Sequence, residues 1–136
     1  MTVKIILTCC ALLFITAVCC GETNLGARIE FQSTTHDFGV IHERGGTVYC
    51  EMKFKNAGDK PLVILNAKAE CGCTGVQYPK QPIMPGDTGV IKIGYNPFGR
   101  PGAFKKEVKV QTNSKKKKDV VLTIIGNTIP AGKDDI

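Results

Sequence analysis

Cys71-Gly72-Cys73-Thr74 is the stretch of this chain whose residue types could do chemistry. Two thiols one residue apart can close a disulfide, hold a soft metal such as Cu(I) as thiolates, supply a nucleophile, or pack as a kink at a strand end. On a regular strand Cys71 and Cys73 would face the same side with Cα atoms about 6.6 Å apart. That is near the upper limit for a bridge. Gly72 allows a bend that shortens it, which makes a tight disulfide ring feasible and places it among the more readily reduced kind. A nucleophilic thiolate calls for a basic neighbour to lower its pKa, and Lys68 and Lys80 are the nearest in sequence. Disulfide and packed kink both stay open. No cofactor is expected; copper at Cys71 and Cys73 is the alternative, and Met84 is the one further sulfur in the downstream loop.

The other cysteines fall into separate groups. Cys50 shares an apolar stripe with Val48, Met52 and Phe54, as a buried and inert core thiol would. If strand 47–55 turns at 56–60 into strand 62–69, Cys50 and Cys71 are offset by ~15 Å along the pair, too far to bridge. Cys9, Cys10, Cys19 and Cys20 lie in the N-terminal segment. There Lys4 precedes an apolar run from Ile5 to Val18, and polar residues follow from Gly21. The run is short for a membrane span and suits the core of an export signal. Residues 1–20 are therefore expected to be a signal peptide, and the protein to reach the periplasm or cell envelope. A cysteine just past the run suggests lipid attachment at Cys20. The residues before it, Ala17-Val18-Cys19, match a lipoprotein signal poorly, so ordinary cleavage near Cys20 or Gly21 is the other reading. Membrane contact is expected only through the signal or a lipid anchor.

Such groups act only if the rest of the chain positions them. The 136 residues have room for one domain. Hydrophobic residues at 43% and charged residues at 22% indicate a globular chain. Removing residues 1–20 takes away one charge, Lys4, and lowers the net charge from +6 to +5. Lys115 to Lys118 supply four of the positive charges, between two strand-like segments, as a solvated hairpin tip would. With only Arg28, Arg44 and Arg100 as arginines and few interleaved aromatics, nucleic acid is not expected as a partner.

Apolar residues recur with a period of two. Val48, Cys50, Met52 and Phe54 alternate with Tyr49, Glu51, Lys53 and Lys55, and Val108 and Val110 alternate with Lys109 and Gln111. Val120 to Ile125 is a continuous apolar run rich in β-branched residues. The pattern predicts six or seven short strands, near 29–34, 38–42, 47–55, 62–69, 89–95, 104–112 and 119–127. That is the count of an immunoglobulin-like β-sandwich. Met84-Pro85-Gly86-Asp87 reads as a type II turn, with Pro at the second position and Gly at the third. A short linker is expected over 21–28, the domain over 29–129 and a flexible tail over 130–136.

His36-Asp37-Phe38-Gly39, Phe54-Lys55-Asn56-Ala57-Gly58-Asp59, Pro61-Leu62, Cys71-Gly72-Cys73-Thr74 and Pro85-Gly86 follow in that order. In this order they resemble the bacterial domain-of-unknown-function family 1573, found in exported proteins and abundant in Bacteroidetes. The resemblance implies a fold similar to the immunoglobulin-like ASH and Hydin domains, and no established activity. Each motif residue also has a structural reading. Gly39 would let the first strand bend from one sheet to the other. Asn56 would cap backbone groups, and Gly58 would supply a positive φ in a tight connection. Phe38, Phe54, Leu62 and Ile64 are core by pattern. His36 and His42 have no evident catalytic partner.

Two functions follow. The chain contains no acid–base pair, triad, phosphate loop or metal quartet. The first reading is therefore a non-enzymatic exported module that binds an envelope protein or glycan through its loops or a sheet edge. The alternative is redox or soft-metal handling by Cys71 and Cys73.

Overall fold

The computed structural model describes residues 26–132. The expected signal peptide, Cys20 and the last four residues of the expected tail lie outside them. Eight strands follow in order: β1 (Ile29–Phe31), β2 (Thr35–His42), β3 (Val48–Asn56), β4 (Ile64–Ala69), β5 (Thr74–Gln77), β6 (Thr88–Tyr95), β7 (Gly102–Thr112) and β8 (Asp119–Ile129). They form two four-stranded sheets, ordered β1-β3-β6-β5 and β2-β8-β7-β4. Neighbours run antiparallel except β2 and β8, which are parallel. This is the immunoglobulin-like sandwich that the alternation predicts.

The alternation works as read. On β3, Cys50, Met52, Phe54 and Asn56 point inward and Tyr49, Glu51, Lys53 and Lys55 outward. Ile91, Ile93 and Tyr95 of β6 meet Val108, Val110, Leu122 and Ile124 of the other sheet, all seven fully buried. Burial of each such aliphatic side chain contributes roughly 1.5–3 kcal/mol. Tyr95 stacks on Phe104 across the sandwich, ring centroids 4.0 Å apart. Lys115 to Lys118 are exposed at the tip of the β7–β8 hairpin, where Lys118 O accepts the Thr112 N–H at 2.7 Å.

Three expectations change. Residues 74–77 form an additional edge strand, β5, which Gly75 and its short length hide from a pattern search. Strands β3 and β4 are not a hairpin: they lie in different sheets, β3 beside β1 and β6, β4 beside β7. The crossing between sheets occurs at Gln32–Thr34, ahead of β2, rather than at Gly39. Gly39 instead takes φ 66° inside β2, at the shift of register against β8 between Asp37 and Val40. It is a bulge.

Candidate functional site

The motif residues separate into three places. Asn56, Gly58, Pro61, Leu62, Pro85 and Gly86 gather at one end of the sandwich. Asn56 is fully buried. Its Oδ1 accepts the N–H groups of Gly58 at 3.0 Å and Arg28 at 3.3 Å, and its Nδ2 donates to Lys60 O at 2.7 Å and Ile83 O at 2.9 Å. Its own carbonyl accepts the Gly86 N–H at 2.9 Å. Leu62 pairs with Ile83 through two 2.8 Å backbone bonds. Gly86 has φ 83° at the third position of its turn, closed by Asp87 N–H to Met84 O at 3.0 Å. Gly58 is not among the glycines of positive φ. Space accounts for it: a Cβ there would collide with Gly26 O and lie 2.7 Å from Arg28 N. This end is a structural clasp.

His36 and Asp37 sit on edge strand β2 and face opposite ways. The His36 ring meets Phe38 edge-on at 4.7 Å, and Asp37 Oδ1 accepts the Gly39 N–H at 2.7 Å. His42 is exposed. No acid–base pair arises here.

The cysteine motif forms the corner at which the chain passes from β4 in one sheet to β5 in the other. Cys71 and Cys73 are joined in a disulfide, with Cα atoms 5.2 Å apart. Cys73 is buried, Cys71 half-buried and Gly72 exposed. The corner is held by backbone bonds too: Glu70 N–H to Glu107 O at 3.2 Å, Thr74 N–H to Cys71 O at 3.1 Å, and Asn96 N–H to Cys73 O at 2.9 Å. Cys50 is a free, buried thiol, pushed up to about 11 by burial. Met84 belongs to the Asn56 end, about 25 Å along β3 from the disulfide corner. Among the described residues no three His, Cys, Asp or Glu side chains come together to hold a metal ion.

Two exposed aromatic rings accompany the disulfide at its end. Phe98, on the loop between β6 and β7, is 64% exposed, and Tyr49, on the outer face of β3, is 61% exposed. The Phe98 loop is fixed. Phe98 N–H donates to Asn96 Oδ1 at 3.0 Å, and Arg100 Nη1 donates to Phe98 O at 2.8 Å. Glu43 accepts from Gly99 N–H and Ala131 N–H, each at 3.1 Å, and so ties three segments together. Tyr49 leans over Gly94, where a Cβ would lie 2.7 Å from the ring. Beside it a trough of about 370 Å³ runs over Gly75 and Gly94 to the disulfide. Sequence patterning missed both rings because each looks ordinary: Tyr49 is one position of a polar strand face, Phe98 one residue of a turn. The flanking Asn96-Pro97 and Gly99 were the available signal for a rigid loop.

Residues 29–128 match the family described as protein of unknown function DUF1573. The chain belongs to this family. No curated protein matches this DUF1573 chain in sequence. Among solved structures, a protein of unknown function from Porphyromonas gingivalis W83 superposes with a TM-score of 0.66 at 15% identity, over 76% of this chain and 48% of that one. The DUF1573 chain thus spans about half the length of that protein. The ASH/PapD-like domain of human CEP192 gives a TM-score of 0.58 at 14% identity, over 76% of this chain and 87% of that one. The periplasmic chaperone SfaE gives 0.51 at 14% identity, over 77% and 59%. These likenesses show the fold, an immunoglobulin- and PapD-like sandwich.

Proposed function

We propose that this DUF1573 chain is an exported, non-enzymatic module that binds a protein partner through the end of the sandwich bearing Phe98 and Tyr49. The observation that carries the reading is Phe98: a large apolar ring held 64% exposed on a loop pinned by side-chain and backbone hydrogen bonds. An ordered loop loses little conformational entropy on binding, and a rigid aromatic is the usual anchor of a protein interface. A protruding ring fits a pocket in a partner protein better than it fits a glycan, which would need a platform. Export is supported by the Lys4-led apolar run and by a disulfide, which persists in oxidising compartments.

The test is a photo-crosslinker placed at position 98 of the full chain in intact cells. The expected result is one discrete envelope protein captured at position 98 and at neighbouring position 100, but not from the hairpin tip at Lys117. Purified, that protein should bind the wild-type chain and lose at least tenfold affinity for Phe98→Ala. Equal capture from all three positions, or unchanged affinity, would refute the reading.

A further inference from the structure

The disulfide corner has an asymmetry that the binding reading does not use. Cys71 is half-buried beside exposed Gly72, and a Cβ on Gly72 would meet nothing within 4 Å, so the approach to the bridge is open on that side. Cys73 is 6% exposed, and its Sγ lies 3.6 Å from Thr74 Oγ1. A bridged sulfur carries no proton, so the Thr74 hydroxyl must be the donor in that contact. The Cys73 N–H in turn points at Cys71 Sγ, at 3.1 Å. Each sulfur therefore has a donor of its own, and Cys71 is the less buried of the two residues.

We propose that Cys71–Cys73 is an exchangeable disulfide that accepts two electrons from a dithiol protein, with Cys71 as the attacked sulfur and Cys73 as the leaving thiolate. In the first step a partner thiolate bonds to Cys71 Sγ. The Cys71–Cys73 bond breaks, and its electron pair goes to Cys73 Sγ, where the Thr74 O–H stabilises the new charge. In the second step the partner's other thiolate attacks the partner sulfur of the mixed disulfide and releases Cys71 as a thiolate, met by the Cys73 N–H. The partner leaves as a disulfide, and Cys71 and Cys73 take up two protons from water as they become thiols. A hydrogen bond to the leaving sulfur stabilises the negative charge that develops on it as the bridge opens, which speeds its departure. The corner survives opening because the Thr74–Cys71, Asn96–Cys73 and Glu70–Glu107 backbone bonds do not depend on the bridge. This inference does not rest on the Phe98 reading.

The experiment uses the purified, oxidised full chain and a thioredoxin-type protein whose resolving cysteine is replaced by serine. Peptide mass spectrometry locates the trapped mixed disulfide. The expected adduct is on Cys71, at least tenfold over Cys73, with Cys50 unmodified and the β-sheet circular dichroism unchanged. Thr74→Val is expected to slow opening by dithiothreitol about threefold to tenfold, and Thr74→Ser to restore the rate. An adduct mainly on Cys73, opening only in denaturant, or an unchanged rate in a folded Thr74→Val chain would each overturn the proposal. If Thr74→Val fails to fold, the site of the adduct decides alone.

Discussion

The Asn56 Nδ2 donates to the carbonyl oxygen of Ile83 at 2.9 Å, across 27 positions of sequence. The same side chain serves Lys60, Gly58 and Arg28, so one amide joins the start of β1, the β3–β4 connection and the loop before β6. Replacing it by alanine leaves buried donors and acceptors without partners. Asn56→Ala is expected to lower the unfolding free energy by about 2–4 kcal/mol, read from urea unfolding. A loss below about 1 kcal/mol would mean that water takes over the amide's bonds.

Two glycines of the same clasp should respond differently to alanine. At Gly86 the obstacle is conformation: φ is 83° and nothing lies within 4 Å of the added carbon, so the cost is about 1–2 kcal/mol. At Gly58 the obstacle is the backbone of Gly26 and Arg28, which must move, at roughly 2–4 kcal/mol. Parallel thermal or urea melts of the two variants check the order. The reverse order would show that the β1 lead-in yields easily.

Cys50 predicts an alkaline weakness. Burial raises its thiol from 9.0 to about 11 in the folded chain. Above the lower value the unfolded chain loses this proton while the folded chain keeps it, so the unfolded state gains. The contribution is fully present below pH 9 and is lost as pH rises from 9 to about 11. Cys50→Ala should flatten that part of the stability profile, and an identical pH slope in both proteins would contradict the assignment. Iodoacetamide at pH 8 should leave Cys50 unmodified until denaturant is added.

The disulfide should matter little to folding. Its two cysteines are only two positions apart, so the bridge removes little freedom from the unfolded chain, worth ~1–2 kcal/mol. Cys71→Ser with Cys73→Ser is expected to stay folded with a loss of that size by urea unfolding. Leu62→Ala, at a fully buried position, should cost more, about 2–5 kcal/mol. If the double serine variant proves the less stable of the two, the bridge is a structural staple.

Strand alternation made the sandwich readable because half of each strand faces one core: Cys50, Met52 and Phe54 announce β3 without any knowledge of its neighbours. Pairing is not local: β3 and β4, consecutive in sequence with turn residues between them, have the pattern of a hairpin and yet belong to opposite sheets. The same holds for glycine. Pro85-Gly86 carries its turn in its own two residues, whereas Gly58 answers to Gly26 and Arg28, which no spacing reveals. At the candidate site the cysteines stood out by type. Which cysteine is the less buried, and that Thr74 serves the other, follows only from the corner between the sheets. Tyr49 and Phe98 acquire meaning from what lies beneath them, a glycine floor and a pinned loop.

The parallel pairing of β2 with β8 sets an order of events in time. Thr35 finds its partner in Thr123, 88 positions further along the chain, and β8 lies between β2 and β7. Until β8 arrives, β2 has no neighbour in its sheet and β7 lacks one of its two. The β2-β8-β7-β4 sheet is therefore completed only by the last strand, late and slowly, as long-range strand pairing demands.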